Sequence, residues 1–95
     1  MGKYSLNKTP LDVLRNMALK VKTLRKEASL TQPELSKKSG ISIGSLRRFE
    51  QTGQISLASL LKILNVLGRL SDMEAILKSN KEKNIEDLFS DKTRK

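Results

Sequence analysis

Apolar residues return every three or four positions along most of the chain, and short clusters of Ser, Thr, Gly and Pro break the pattern at regular intervals. Leu14, Met17, Ala18, Val21, Leu24 and Ala28 share one helical face with Lys20, Lys22 and Lys26 between them, which predicts an amphipathic first helix entered at Pro10. Ser29-Leu30 interrupts it, and Thr31-Gln32-Pro33-Glu34 follows as a capping box that starts a second helix at Gln32. That helix lasts about two turns, because Ser39-Gly40 supplies a left-handed terminator and Ser42 is a fresh N-cap. A third helix runs from Ile43 to about Gln51, with Leu46, Phe49 and Glu50 inside and Ile43, Gly44, Arg47 and Arg48 mostly outside, and Thr52-Gly53 closes it. Ser56 caps a fourth with Leu57, Leu60, Leu61, Leu64 and Leu67 on one stripe and Ile63, Val66 and Leu70 off it. Gly68 ends that helix, and Ser71 caps a short fifth carrying Met73, Ile76 and Leu77. No segment carries strand periodicity, so the expected class is all-α.

Ninety-five residues suffice for one small core and no second domain. The expected division is a polar N-terminal arm at 1–10, a folded domain at 11–78 and a charged tail at 79–95. Absence of Cys and His removes thiolate and imidazole metal ligands together with the commonest general base, so no cofactor, metal or enzymatic activity is expected. Nor does any apolar run reach the roughly 18 residues of a membrane span, and Met1 to Pro10 is too polar for a signal-peptide core, so the chain reads as soluble and cytoplasmic with no membrane partner. Charge is what narrows the partner: 19 Lys and Arg against 10 Asp and Glu give +9, and residues 1–48 hold +8 of it. A field of this sign favours an anionic polymer such as DNA.

Two helices joined by a glycine turn, followed by an apolar fourth, match the layout of a helix-turn-helix. The residues Leu24 to Ser36, then Ser39-Gly40-Ile41-Ser42, then Leu46-Arg47-Arg48-Phe49-Glu50-Gln51-Thr52-Gly53 closely resemble the phage Cro/repressor family. The resemblance spans residues 17 to 77 and implies a five-helix Cro/repressor-like DNA-binding domain flanked by polar arms. It also implies that Gln32 touches a phosphate of double-stranded DNA, and that the third helix is the recognition helix, presenting Ser42, Ile43, Gly44 and Arg47 to bases with Arg48 on the flank and Ser45 also in the DNA-binding set. Ile43 and Gly44 depart from the polar residues many members carry there, so direct readout falls largely to Arg47, whose fork matches guanine O6 and N7. Lys37 and Lys38, near the turn, are the expected phosphate contacts. Blander readings stay open: Ile43 as a staple of the helix entrance, Arg47-Arg48 as a solvated basic face, and Gln32 as an ordinary first-turn residue. By the same resemblance Arg25 and Glu50 form an internal salt bridge, which belongs to architecture and not to the binding surface.

The apolar excess on the fourth and fifth helices requires cover. A second copy meeting at Leu70, Met73, Ile76 and Leu77 is the economical answer, since dimers of this kind set two recognition helices about 34 Å apart on a palindromic operator; a slightly wider core covered by the terminal arms is the alternative. In the tail, Ile85, Leu88 and Phe89 stand among charges, a pattern suited either to docking on a partner or to an extra turn packed on the chain's own domain. Short basic repressors with such a third helix and tail look like the antitoxins of Hip-type toxin-antitoxin operons, whose partner is a kinase toxin. The sequence therefore points to a homodimeric, sequence-specific repressor that also acts as an autoregulating antitoxin. The competing reading is an interaction module that neutralises a toxin or other partner, with DNA binding secondary.

Overall fold

The computed structural model describes residues 8–78, which form five helices: α1 (Pro10–Glu27), α2 (Gln32–Ser39), α3 (Ile43–Thr52), α4 (Leu57–Val66) and α5 (Leu70–Ala75). No strand occurs among the described residues. The first two helices open in the same way. Thr9 and Asp12 make a capping box at α1, and Thr31 and Glu34 make one at α2, each hydroxyl accepting from the backbone N–H three residues on while the carboxylate accepts from the threonine N–H. Both carboxyls are held below their ordinary range, first by the threonine backbone N–H that each accepts from and then by the nearby threonine hydroxyl. The Thr9-Pro10-Leu11-Asp12 box carries the same signature that located α2, and it places the start of the fold inside the expected N-terminal arm.

Helix α1 lies chiefly on α3, and α2 packs against both α3 and α4. Phe49, Leu35, Leu46 and Ile63 are fully enclosed at the centre, with Ala18, Val21, Ile41, Leu60 and Leu64 around them. Burying each large aliphatic or aromatic side chain stabilises the fold by about 1.5–3 kcal/mol before conformational entropy is set against it. Two left-handed glycines shape the path: Gly40 (φ 79°) turns the chain between α2 and α3, and Gly53 (φ 84°) ends α3 directly against α1. At Gly53 a Cβ would come within 2.7 Å of the Leu14 carbonyl carbon and 2.8 Å of its oxygen, so the close approach of α1 to α3 depends on the missing side chain. This explains why Leu14, expected in the core, remains 37 % exposed: its backbone faces the core junction at Gly53. Ala28, the last of the expected apolar face, is the C-cap of α1 and is exposed.

Two expectations for the last helices fail. On α4 the buried residues are Leu60, Ile63 and Leu64, while Leu57 is 62 % exposed. Leu57-Leu60-Leu61-Leu64 and Leu60-Ile63-Leu64-Leu67 are both i, i+3, i+4, i+7 sets, and packing against α2 selects the second, so Ile63 belongs to the core. Helix α5 begins at Leu70 with Arg69 as its N-cap and no side-chain cap, so Ser71 lies inside the first turn. The reason is the way α4 ends: the Gly68 N–H donates to Asn65 O (3.2 Å) and the Arg69 N–H to Leu64 O (2.9 Å), the paired bonds of a Schellman motif. Those bonds commit Arg69 to the exit of α4 and start α5 at the next residue, with the Arg69 guanidinium taking Asp72 at 2.8 Å.

Candidate nucleic-acid interface

The third helix is held from within by one bidentate ion pair. Arg25 Nε donates to Glu50 Oε2 at 2.7 Å and Arg25 Nη2 to Glu50 Oε1 at 3.1 Å, with the two side chains 8 % and 3 % exposed. A third donor, Nη1, reaches Leu30 O at 2.8 Å and ties the same guanidinium to the junction between α1 and α2. Burial opposes the Glu50 charge, but the hydrogen bonds from Arg25 and Gln32, with the nearby positive charges of Arg25 and Lys22, prevail and hold its carboxyl below the usual glutamate range. The pair therefore fixes where α1, the α1–α2 junction and α3 meet.

With Leu46, Phe49 and Glu50 turned inward, a helix advancing about 100° per residue puts Gly44, Arg48 and Gln51 on the opposite side and Arg47 toward α2. Arg48 thus stands near the middle of the exposed side of α3, and Gln51 joins it one turn on. Arg47, Arg48, Gly44 and Gln51 are exposed and Ile43 is half-buried. Each arginine meets a glutamine from another element: Arg47 Nε approaches Gln32 Oε1 of α2 at 3.4 Å, and Arg48 Nη2 donates to Gln54 Oε1 in the α3–α4 turn at 2.6 Å. Gln32 also donates from Nε2 to Glu50 Oε1 at 2.9 Å, so its amide joins the buried pair to the surface.

At the front of α3, Ser42 caps the helix by accepting from the Ser45 N–H at 3.1 Å, and the two hydroxyls meet at 3.0 Å. Below Arg48 an open groove of about 380 Å³ runs to the start of α4, lined by Ser45, Gln54, Ile55, Ser56 and Ser59. Lys37 and Lys38 are exposed in the last turn of α2, and Lys37 faces away from the buried Leu35. The fold therefore brings together Gln32, Arg47 and Glu50, and separately Ser45 and Arg48, while Lys37 and Lys38 sit at the far end of α2 from Gln32. Gln51 and Gln54, which the fold sets beside Arg48, were not among the residues singled out from the sequence. Gln51 was recoverable from the helical spacing with Gly44 and Arg48; Gln54 stands in a turn, where no periodicity marks it.

In α5 and just after it, Leu70, Ile76 and Leu77 are 40, 56 and 89 % exposed, whereas Met73 packs partly against the core. Ile85, Leu88 and Phe89 lie outside the described residues. Among the described residues there is no group of His, Cys, Asp and Glu suited to a metal, and no helix long and apolar enough to cross a membrane.

Comparison with known proteins bears on the same helices. A family model described as Helix-turn-helix matches residues 21–72, more than half of the chain, from the middle of α1 into α5. Neither a curated protein nor a solved structure gives a significant match.

Proposed function

The chain belongs to the helix-turn-helix family of DNA-binding transcription regulators, and we propose that it is a repressor that binds a palindromic operator as a homodimer, with α3 in the major groove. The observation that carries this reading is the asymmetry of α3: its inner face is locked by a buried ion pair, and its outer face carries two exposed arginines with no carboxylate partner among the described residues. A rigid helix whose cationic forks are held only by neutral amides suits base edges, where one well-formed bidentate pair discriminates by about 1–3 kcal/mol. Gly44 supports close approach, because nothing stands within 4 Å of the place its Cβ would take. The exposed Leu70, Ile76 and Leu77 supply an apolar surface for the second copy.

Selection of DNA from a random pool by the purified full chain tests the proposal. A recovered site with two-fold symmetry and half-sites one helical turn apart supports it; unselective recovery, with all affinity lost at raised salt, overturns it. The antitoxin role rests on the composition of the tail and is tested separately, by asking whether a chain ending at residue 79 binds the operator normally yet no longer captures a toxin encoded beside it.

A further inference from the structure

Both arginines of the open face are held by neutral groups, although carboxylates are the usual guanidinium partners. For Gln32 the direction of the amide is fixed. Glu50 Oε1 can only accept, so the Gln32 nitrogen must face it and the carbonyl oxygen is left for Arg47 Nε. Gln54 is seated just as definitely. Thr52 Oγ1 donates to Arg48 O at 2.7 Å and accepts from the Gln54 backbone N–H at 3.1 Å, so one hydroxyl links the backbone of the arginine to that of the glutamine that holds its side chain.

Resting on the DNA-binding reading above, we propose that Gln32 and Gln54 are positioning residues: neutral acceptors that orient Arg47 and Arg48 toward DNA while leaving their charge undiminished. The two tethers differ in what they leave free. Arg47 is held through Nε, so both terminal nitrogens remain for the O6 and N7 of a guanine. Arg48 is held through Nη2, which draws that end of the guanidinium toward the groove at the start of α4 and leaves Nε and Nη1 for a phosphate or a single base contact. An arginine loses much rotamer freedom on binding, and holding it in place beforehand lowers that loss without adding a contact to DNA. Gln32 thereby connects the buried pair of α1 and α3 to the side chain at the base edge.

The test uses the full chain with its selected site and random DNA of equal length. Gln32→Met and Gln54→Met keep the length of each side chain and delete its acceptor. Gln32→Met is expected to lower the ratio of site to random affinity about tenfold, at the same base pairs that Arg47→Ala relaxes, and to add little to Arg47→Ala in the double variant. Gln54→Met should act in the same way through Arg48; it touches no buried partner, so a loss there cannot come from misfolding, which a melting curve of each variant checks. In neither variant should the salt dependence change. Gln54→Glu gives the opposite signature, weakening both DNAs and flattening the salt slope by about one unit, because a carboxylate neutralises Arg48. Equal losses of the Met variants on both DNAs would make the glutamines plain phosphate contacts and overturn the proposal, as would full additivity with the arginine variants. A wild-type chain that discriminates no DNA overturns the operator reading itself, and the positioning role with it.

Discussion

The α1–α3 body and the α4–α5 end are built on different terms. The body is pinned at several points: α1 and α2 each start with a complete capping box and α3 with the Ser42 cap, Gly53 lets α3 close onto Leu14, and Arg25 ties Glu50 to Leu30. By contrast α5 has six residues, no side-chain cap and no buried residue, and Leu70 within it and Ile76 and Leu77 just after it face outward. The difference teaches that the orientation of α3 is settled within one chain, whereas α5 and the residues just after it leave apolar groups exposed, which the proposed second copy would cover. It also moves the argument for a second copy. Ile63, which in sequence seemed surplus, is core, so Leu70, Ile76 and Leu77 are what remains outward there, while Leu11, Val13, Leu14 and Leu19 of α1 and Leu57 of α4 are exposed elsewhere.

The strongest way to break the contrast is to remove Glu50. Glu50→Ala leaves Arg25 buried without its anion, at a cost of about 3–5 kcal/mol, a large share of the roughly 5–15 kcal/mol that holds a small domain together. Loss of cooperative thermal unfolding at room temperature is the expected outcome. Replacing Arg25 and Glu50 together by methionine should be far milder, since two apolar groups of similar volume leave no buried charge behind. If the single and double variants melt alike, the pair is not what locks α3.

Gly53→Ala attacks the same body at the contact between α1 and α3. A left-handed backbone alone costs a non-glycine residue about 1–3 kcal/mol, and the new methyl would meet three atoms of Leu14 within 3 Å, two of them backbone. The predicted result is a drop in denaturation midpoint without change in its slope. Gly68→Ala, where the same φ meets open space, should fall at the lower end of that range.

Acid acts on three depressed carboxyls, of which Glu50 is the one in the buried pair. The Glu50 carboxyl is depressed in the folded chain, so the stability it contributes is present above its unfolded value of about 4.3 and is lost as pH falls through the folded value. Melting temperature should therefore hold from pH 7 to about pH 5 and fall below about pH 4. The double methionine variant should show a shallower fall, leaving mainly the capping carboxylates Asp12 and Glu34, whose values are lowered as well.

Much of the body was legible because its signals are local. Thr31, Pro33 and Glu34 within four residues mark one helix start, and Ser39-Gly40 with Ser42 marks a turn and a restart, whatever packs against them. What was not legible depends on partners distant in sequence. Five leucines in eleven residues offer two equally periodic faces on α4, and only the position of α2 decides between them. Ser71 looked like a cap, but the backbone bonds that end α4 had already fixed where α5 begins. On the candidate interface, counting residues gave the open side of α3 and the two arginines; Gln54 and the double role of Gln32 became visible only when three elements met.

Ser29 marks a place where the body can be improved. It is the one described residue other than glycine with positive φ, 60°, and it closes α1 through the paired bonds Ser29 N–H to Lys26 O (2.9 Å) and Leu30 N–H to Arg25 O (3.1 Å). Glycine adopts this conformation without the Cβ penalty, so Ser29→Gly is expected to raise stability by about 0.5–1 kcal/mol, measured as a higher urea midpoint. An unchanged midpoint would mean that the greater unfolded-state freedom of glycine offsets the relief.

The smallest effect on folding and the largest on assembly are expected from one substitution at the other end. Leu77 is 89 % exposed, so Leu77→Asp removes almost no contact within the chain, and the melting of a dilute monomer should shift by less than about 0.5 kcal/mol. In a dimer joined through Leu70, Ile76 and Leu77 the same change places two carboxylates in an apolar interface, where desolvation and like charge both oppose association. Sedimentation at tens of micromolar should then show a dimer for the wild-type chain and a monomer for the variant. Operator affinity should fall steeply, because each half-site is held alone and the effective concentration of the second reading helix is lost. Unfolding of the variant would place Leu77 in a core of its own chain, whereas a wild-type monomer at those concentrations would require α5 to be covered by something other than a second copy.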